Sequence, residues 1–489
     1  MPDFGFVGTS YEAPSIYQDA QECINFFAEI DPQKAAGERG VVALYPTPGL
    51  LLQAQLANAE VRGMRALSGG QYLVAVAGNL VYKIDLTMAV SLIGSLTTVS
   101  GPVSISDNVT TSAGLTAYIV DGPNRYTWVS ATNTFTKLLS SDGPWTGASI
   151  VDVVDNYNIY NEPDTRNWAC TNLGSSLSTQ ALYGVKDGSP DNLISLIVDR
   201  RQVYLLGEVT SEVWTDVGNV IAGITTFPFA RVPGTSMQSG CAAPFSVARF
   251  GDSFCFVAKD TRGNSTIEAI AGYTFKRMSS HAVEQTLVNQ VVSDAIAYTY
   301  QIEGHEMYVV TFPSIGNGLT WVYDLSTNAW HKWLAFSNGE YYRHRSNCGA
   351  YFNNMYLVGD YQNGAIYSIE NAVYTENGNP IRRLRRAIHL VADLQRYYFD
   401  EFQIQFQPGV GLVTGQGSDP QAMLRWSNDG GSTWSSEHWT TIGKIGKYKN
   451  RAIWRRLGTA RDRIFEVSIS DPVKAVIVSA NLKSSVGEN

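Results

Sequence analysis

The chain has 489 residues, with 36 Lys+Arg against 44 Asp+Glu for a formal net charge of −8, and aromatic residues make up 11% of it. That charge excludes a whole-molecule nucleic-acid footprint, and no apolar run reaches the roughly 18 residues a membrane-spanning helix needs. Long helical periodicity is almost absent, and aromatic and β-branched residues dominate the apolar set, so the composition is that of an all-β protein.

The charge is unevenly spread. Residues 381–489 hold 16 Lys+Arg and 10 Asp+Glu, a balance of +6, while residues 1–380 hold 20 and 34, a balance of −14. A step of this kind marks a domain boundary and can mark a second binding surface. The five cysteines (Cys23, Cys170, Cys241, Cys255, Cys348) are odd in number and never in Cys-x-x-Cys spacing, the usage of a chain folded in a reducing compartment. The first residues, MPDFGFVGTSYEAP, have neither the basic nor the apolar region of a secretory signal.

Residues 1–50 are expected to be an N-terminal arm and first strand. Gln21–Pro32 is an extended segment that sets Asn25 and Glu29 around Phe26 and Phe27. Val41–Leu50 is an apolar strand stopped by Pro46 and Pro48, which have no N–H to give a ladder. Asn25, Phe26, Phe27 and Glu29 are the candidate assembly residues of this arm, which would cross a surface or order against a partner.

From about residue 51 a pattern recurs: an apolar strand, a Gly/Asn turn, a second strand and an acidic or aromatic end. Its clearest copy is Met307–Trp333, and the anchors fall near positions 72, 118, 157, 203, 254, 307 and 356. Four short strands repeating every 40–50 residues or so are the sign of a β-propeller. The reading is seven blades over residues 51–378, with six as the alternative because the copy at 153–168 is the weakest; a large sandwich of unrelated hairpins is the competing architecture. Two longer excursions are Ile221–Ala243 and Met278–Ser293. In the latter, Val283, Leu287 and Val291 are spaced for one face of a helix.

Residues 379–489 read differently. Phe402–Gly409 and Arg463–Pro472 alternate apolar with polar, Ala475–Leu482 forms a last strand, and the whole reads as a C-terminal antiparallel β-sandwich. The step between the units predicts a protease-accessible junction at Glu376–Arg386.

Catalytic patterns are scarce. The six histidines (281, 305, 331, 344, 389, 438) have no metal-ligand spacing, and no nucleophile elbow or phosphate-binding loop is present. Gly409–Gly417 is glycine-rich but opens no helix, and reads as a flexible hairpin tip. Ser427–Trp434 fits the Asp-box pattern Ser-x-Asp-x-Gly-x-x-Trp, a hairpin device that recurs once per blade in sialidases and occurs here once. It suggests a propeller glycosidase as the alternative function. Two basic clusters remain: Arg382, Arg383, Arg385 and Arg386, and a stretch with Lys444, Lys447, Lys449, Arg451, Arg455, Arg456, Arg461 and Arg463. Each is either a solvated face or a contact with an acidic partner or DNA phosphate.

The order INFFAE around Asn25–Glu29, the strand end Leu44–Leu50, repeated blades, then Leu424–Gly431 and Trp454–Gly458 resembles the packaged DNA stabilization protein, or tail accessory factor, of short-tailed bacteriophages. The resemblance implies a non-enzymatic virion protein without cofactors, made in the host cytoplasm and located in the virion tail. It implies a hexameric ring, a tail hub below the portal and head-to-tail adaptor. Such a ring closes the DNA channel, retains packaged DNA and holds tailspikes or fibres and the tail needle or plug. Non-specific contact with DNA in the channel would fall to the basic clusters, and no membrane partner is implied.

Overall fold

A computed structural model describes residues 5–34, 41–218, 220–221, 224–260, 262–391 and 395–487. Among the described residues seven antiparallel sheets, each built on at least three consecutive strands, follow one another along the chain. The first runs Val61–Ala66, Tyr72–Ala77, Leu80–Asp85 and Val90–Ser95; the sixth runs Ile296–Ile302, His305–Phe312, Leu319–Asp324 and Ala329–Lys332. Each of the seven recurring stretches supplies the second strand of its sheet. These strands are apolar on both faces because a neighbouring sheet covers each face, so Tyr72–Ala77 and Gln202–Gly207 are buried almost end to end rather than alternately.

Apolar clusters fill the spaces between successive sheets. Val74 and Val81 of the first sheet meet Ile119 and Trp128 of the second, and Val257 of the fifth meets Tyr308 and Trp321 of the sixth. The last sheet returns to the first: Leu357 and Ile366 pack with Leu73 and Ile84, and Asn347 Nδ2 donates to Val61 O at 2.9 Å. The circuit is therefore closed, and the architecture is a β-propeller. Its seventh sheet (Ser346–Phe352, Met355–Asp360, Ala365–Glu370) takes its fourth strand, Gly49–Gln55, from the other end of the chain. The expected division at 50/51 thus falls inside a strand.

A β-sandwich completes the all-β fold. One of its sheets orders Phe26–Ile30, Val42–Pro46, Ile477–Val486, Tyr397–Phe406 and Ala452–Arg455; the other orders Ala20–Ile24, Arg383–Arg386, Asp462–Ile469, Gln421–Ser427 and His438–Thr441. Phe6, Cys23, Phe26 and Leu44 share its core with Phe399, Phe402, Trp454 and Phe465. The N-terminal segment is therefore not an arm laid across a surface; it supplies three sandwich strands and part of the core. Ile24 also pairs in parallel with Lys332, which makes one sandwich sheet continuous with the sixth propeller sheet.

The helix expected over Met278–Ser293 is shorter, His281–Leu287, capped by Ser280. Val283 and Leu287 are buried, but Val291 lies beyond the helix and is 58% exposed: Val288 turns extended and Asn289 takes φ +58°. Among the described residues no helix is long and apolar enough to cross a membrane.

Candidate functional site

The propeller axis is lined by the first strands of the sheets and encloses about 450 Å³. Its charges are matched: Arg65 pairs with Asp107 at 3.3 Å and Arg249 with Asp152 at 3.1 Å. Arg62 spends its guanidinium on the carbonyls of Gly78, Thr98, Ser100 and Gly101, tying the first sheet to the connection that follows it. These contacts hold the propeller together and leave no unpaired cation among those three.

At the seam between propeller and sandwich lie the expected assembly residues. Asn25, fully buried at φ +58°, donates from Nδ2 to Leu334 O and Arg382 O, both at 2.8 Å, while its Oδ1 accepts from Leu334 N at 2.9 Å. One side chain thereby fixes the N-terminal segment to the sixth sheet's exit and to the residue that enters the strand Arg383–Arg386. Phe26 is wholly inside the sandwich core, and Phe27 packs on Tyr45, His305 and His331. Glu29 reaches the propeller: His305 Nε2 lies 2.6 Å from its carboxylate and His305 Nδ1 lies 2.7 Å from Asp324. The bond to Asp324, with that to Glu29, outweighs burial and raises His305 to about 9, so it is an imidazolium donating to two carboxylates at neutral pH. All four residues join parts of the same chain.

The cluster Arg382–Arg386 is in the same seam, and its expected role as a contact face does not survive. Arg383 and Arg385 are 0% exposed. Arg385 donates to Phe6 O at 2.6 Å, Thr9 O at 2.9 Å and Gln21 Oε1 at 2.6 Å. Arg383 lies over the Tyr374 ring, and burial lowers both guanidiniums to about 10, leaving them charged. Arg386 pairs with Glu22 at 3.0 Å and Glu466 at 2.9 Å and covers Trp434; Arg382 faces Glu437 at 3.7 Å and lies on Phe336. Within the expected protease-accessible junction Glu376, Arg383 and Arg385 are buried, whereas residues 377–380 form an exposed turn.

Sequence reasoning missed the partners of this cluster. Lys332, buried at the end of the sixth sheet, binds Glu12 at 2.7 Å and Glu22 at 2.8 Å. Burial alone would lower its ammonium, but Glu22 and Glu12 outweigh it and raise it. With Arg386, Arg425 and Glu466 these groups form an alternating network in which every charge faces an opposite one. Its members come from positions 12 to 466, and no local spacing could announce them.

The second basic stretch is exposed. Lys444, Lys447, Lys449 and Arg451 lie on the loop between strands His438–Thr441 and Ala452–Arg455, and Arg455 and Arg456 follow. Lys444 pairs with Asp419 at 3.3 Å and Arg455 with Glu401 at 2.8 Å. Among the described residues no carboxylate pairs with Lys447, Lys449, Arg451 or Arg456. Arg463 leaves this group: it is 2% exposed, wedged against Phe399 and Trp426, and donates to Leu457 O.

The Asp box is a hairpin staple. Ser427 Oγ donates to Asp429 Oδ1 at 2.7 Å, Asp429 accepts from Thr433 N at 2.8 Å and Thr433 Oγ1 at 2.6 Å, and Gly431 N donates to Ser427 Oγ at 2.8 Å. Gly430 and Gly431 take φ +68° and +100°, which a two-glycine turn permits. The Thr433 hydroxyl and amide hold Asp429 down to about 2, so it is an acceptor here and not a proton donor. Among the described residues no group of three or more His, Cys, Asp or Glu is placed to hold a metal ion.

Two family descriptions match this chain in the order of its two units. A model described as Bacteriophage P22 Gp10, beta-propeller covers residues 20–374, and one described as Bacteriophage P22 Gp10, beta-sandwich covers residues 382–485. The chain belongs to the P22 Gp10 family. A relative from Salmonella phage P22, the tail hub protein gp10, is 20% identical over 280 residues, 56% of each chain, so the chain spans about half the length of that curated relative. Solved structures matched by the chain include a Myceliophteria thermophila Cps50 (Swd1) β-propeller domain (TM-score 0.41, 8% identity, 65% of this chain and 99% of that one) and a mitotic checkpoint complex (TM-score 0.39, 11% identity, 70% and 98%). In the Gp10 frame the seam described above lies where the two matched regions meet, and the Lys444–Arg456 stretch lies wholly within the sandwich region.

Proposed function

We propose that this chain is a structural protein of a virion tail, a tail hub, and acts without catalysis. The observation that carries the reading is the match to both Gp10 units, propeller then sandwich, over residues 20–374 and 382–485. The relative named as a tail hub points the same way. The geometry suits the role. Seven sheets, read as seven blades, make a rigid platform of loops, and the charge-matched seam locks the platform to the sandwich so that load on one is borne by the other.

In this reading six copies form a ring below the portal and head-to-tail adaptor. The ring closes the DNA channel, retains the packaged DNA, and anchors tailspikes or fibres and the needle or plug. The exposed cations Lys444, Lys447, Lys449, Arg451, Arg455 and Arg456 are its candidate contacts, because Arg382–Arg386 is spent inside the chain. Deleting the gene from its phage tests this: heads should fill with DNA and then lose it, and supplied chain should restore tails. Purified particles that lack this chain and still keep DNA and tails would overturn it.

A further inference from the structure

The Gly-rich segment Gly409–Gly417 and the basic loop Gly443–Arg451 are far apart in sequence and form one tip in the fold. A Cβ on Gly409 would meet Tyr448 Cε1 at 2.5 Å, and one on Gly411 would meet Ile445 N and Ser418 O at 3.0 Å. These two glycines therefore serve close packing of one loop on the other. Each loop also carries its own bonds: Leu412 N donates to Gly417 O at 2.8 Å, Lys447 N to Lys444 O at 3.0 Å, and Asn450 Nδ2 to Thr441 O at 2.8 Å. The segment read from sequence as a flexible tip is a packed one.

What the tip presents is unusual for a solvated surface. Val413 is 82% exposed, Tyr448 69%, Ile445 57% and Leu412 40%. Lys444, Lys447, Lys449 and Arg451 stand in the same loops, and among the described residues only Lys444 of these has a carboxylate, Asp419. An exposed apolar centre with a charged rim is the anatomy of a protein contact. A nucleic-acid backbone would satisfy the cations, but it offers nothing to Leu412, Val413 and Ile445.

We propose that this tip docks on the acidic propeller of a second copy of the chain. Charge selects that occupant: the propeller residues 49–380 hold 18 Lys+Arg and 27 Asp+Glu, a balance of −9, and the stretch 443–456 has six cations and no acid. Tip against propeller is attractive, while tip against tip is opposed. A contact between unlike surfaces is heterologous, and its repetition closes into a ring when the rotation allows. The inference rests on the multi-copy reading given above and names the surface that makes the copies adhere.

The test mixes unlabelled and heavy-isotope-labelled full-length chain and applies a zero-length carbodiimide cross-linker at low and physiological salt. Mixed-isotope links should join Lys447 or Lys449 to propeller Asp or Glu, with a yield that falls as salt rises. The combined variant Leu412→Ser, Val413→Ser, Tyr448→Ser keeps both lysines and should cut that yield about tenfold, as loss of an interface's apolar centre does. Its circular dichroism should match wild type; if the triple variant does not fold, Val413→Ser alone takes its place. Mixed-isotope links that leave out the tip, equal in wild type and variant, would overturn the tip contact and leave the multi-copy reading intact. No mixed-isotope links at any concentration would overturn both. Retention of a DNA duplex through these lysines, with no links between copies, would overturn the proposal in favour of a nucleic-acid surface.

Discussion

Arg382–Arg386 and Lys444–Arg456 are both dense cationic stretches of the sandwich, yet the structure uses them in opposite ways. The first is a strand in the middle of a sheet, hydrogen-bonded on both edges to Ala20–Ile24 and Asp462–Ile469. A strand so placed sends alternate side chains to two covered faces, so its arginines have to find partners indoors. Carbonyls of Phe6 and Thr9 and carboxylates of Glu22 and Glu466 supply them. The second stretch is mostly loop, beside the short strands His438–Thr441 and Ala452–Arg455, and it meets water. The difference teaches that a run of positive charge has no fixed meaning; the ladder on either side of it decides whether it is mortar or surface.

The largest effect expected from that comparison is at Arg385. Arg385→Ala strands the carbonyls of Phe6 and Thr9 and the Gln21 side chain in a buried site. We expect a loss of about 3–5 kcal/mol, the usual consequence of removing one partner from a buried charged network. Urea unfolding of the full chain measures it, and Arg385→Lys should recover little because an ammonium lacks the planar fork. A loss under about 1 kcal/mol would show that the seam does not depend on this guanidinium.

Next in size is a pH effect in the same seam. The folded His305 is raised to about 9 from an ordinary value of 6.5, mainly by its bond to Asp324 and then Glu29. Its contribution is therefore full below about pH 6.5 and disappears as pH rises through 9. Glu29 is 45% exposed, so solvent screening trims the contribution to about 1–2 kcal/mol. Melting temperature should fall between pH 7 and 10, and Glu29→Gln should reduce the fall. A wild type and variant that lose stability in parallel would assign the slope to other groups. Glu376, pushed by burial to about 7 from 4.5, adds a loss of the same sign at lower pH, and Glu376→Gln separates the two.

How much of this was legible beforehand differs between the same regions. Propeller and sandwich were readable because each local hairpin announces itself: the second strands are continuous apolar runs, and Asn353–Asn354 and Asp155–Asn156 take the paired positive φ of tight hairpin turns. The charge step near residue 381 falls between the two matched regions. The path of residues 6–34 and 41–46 was not readable, because whether an extended segment joins a sheet depends on strands more than 300 residues away. Asn25 and Arg382 illustrate this; nothing near either one in sequence names the other. The basic loop was readable as exposed, but the partner loop that completes its tip was masked, since glycines signal mobility and close packing alike.

A smaller effect is expected at the Asp box. Asp429→Ala removes three acceptor contacts at a turn that is open to solvent, which should lower the melting temperature slightly and leave the fold intact. Glycan turnover that disappeared in this variant without unfolding would revive the glycosidase reading.

The smallest change in stability should come from the exposed half of the comparison. Lys447→Glu with Lys449→Glu alters two side chains that no carboxylate holds among the described residues, on a loop whose backbone bonds are independent of them. The folding free energy should therefore move by less than about 0.5 kcal/mol, as for other surface substitutions. Assembly should be affected far more than folding, because exposed charges act chiefly on encounter and weaken with salt. Brief tryptic digestion of the folded wild type makes the contrast visible in one experiment: cuts should fall after Lys447, Lys449 and Arg451 well before any after Arg382–Arg386. The charge-reversed protein loses the first two sites and should keep Arg382–Arg386 protected. Early cleavage at Arg383 or Arg385 would mean that the seam opens readily, and the division into an inner and an outer basic cluster would then fail.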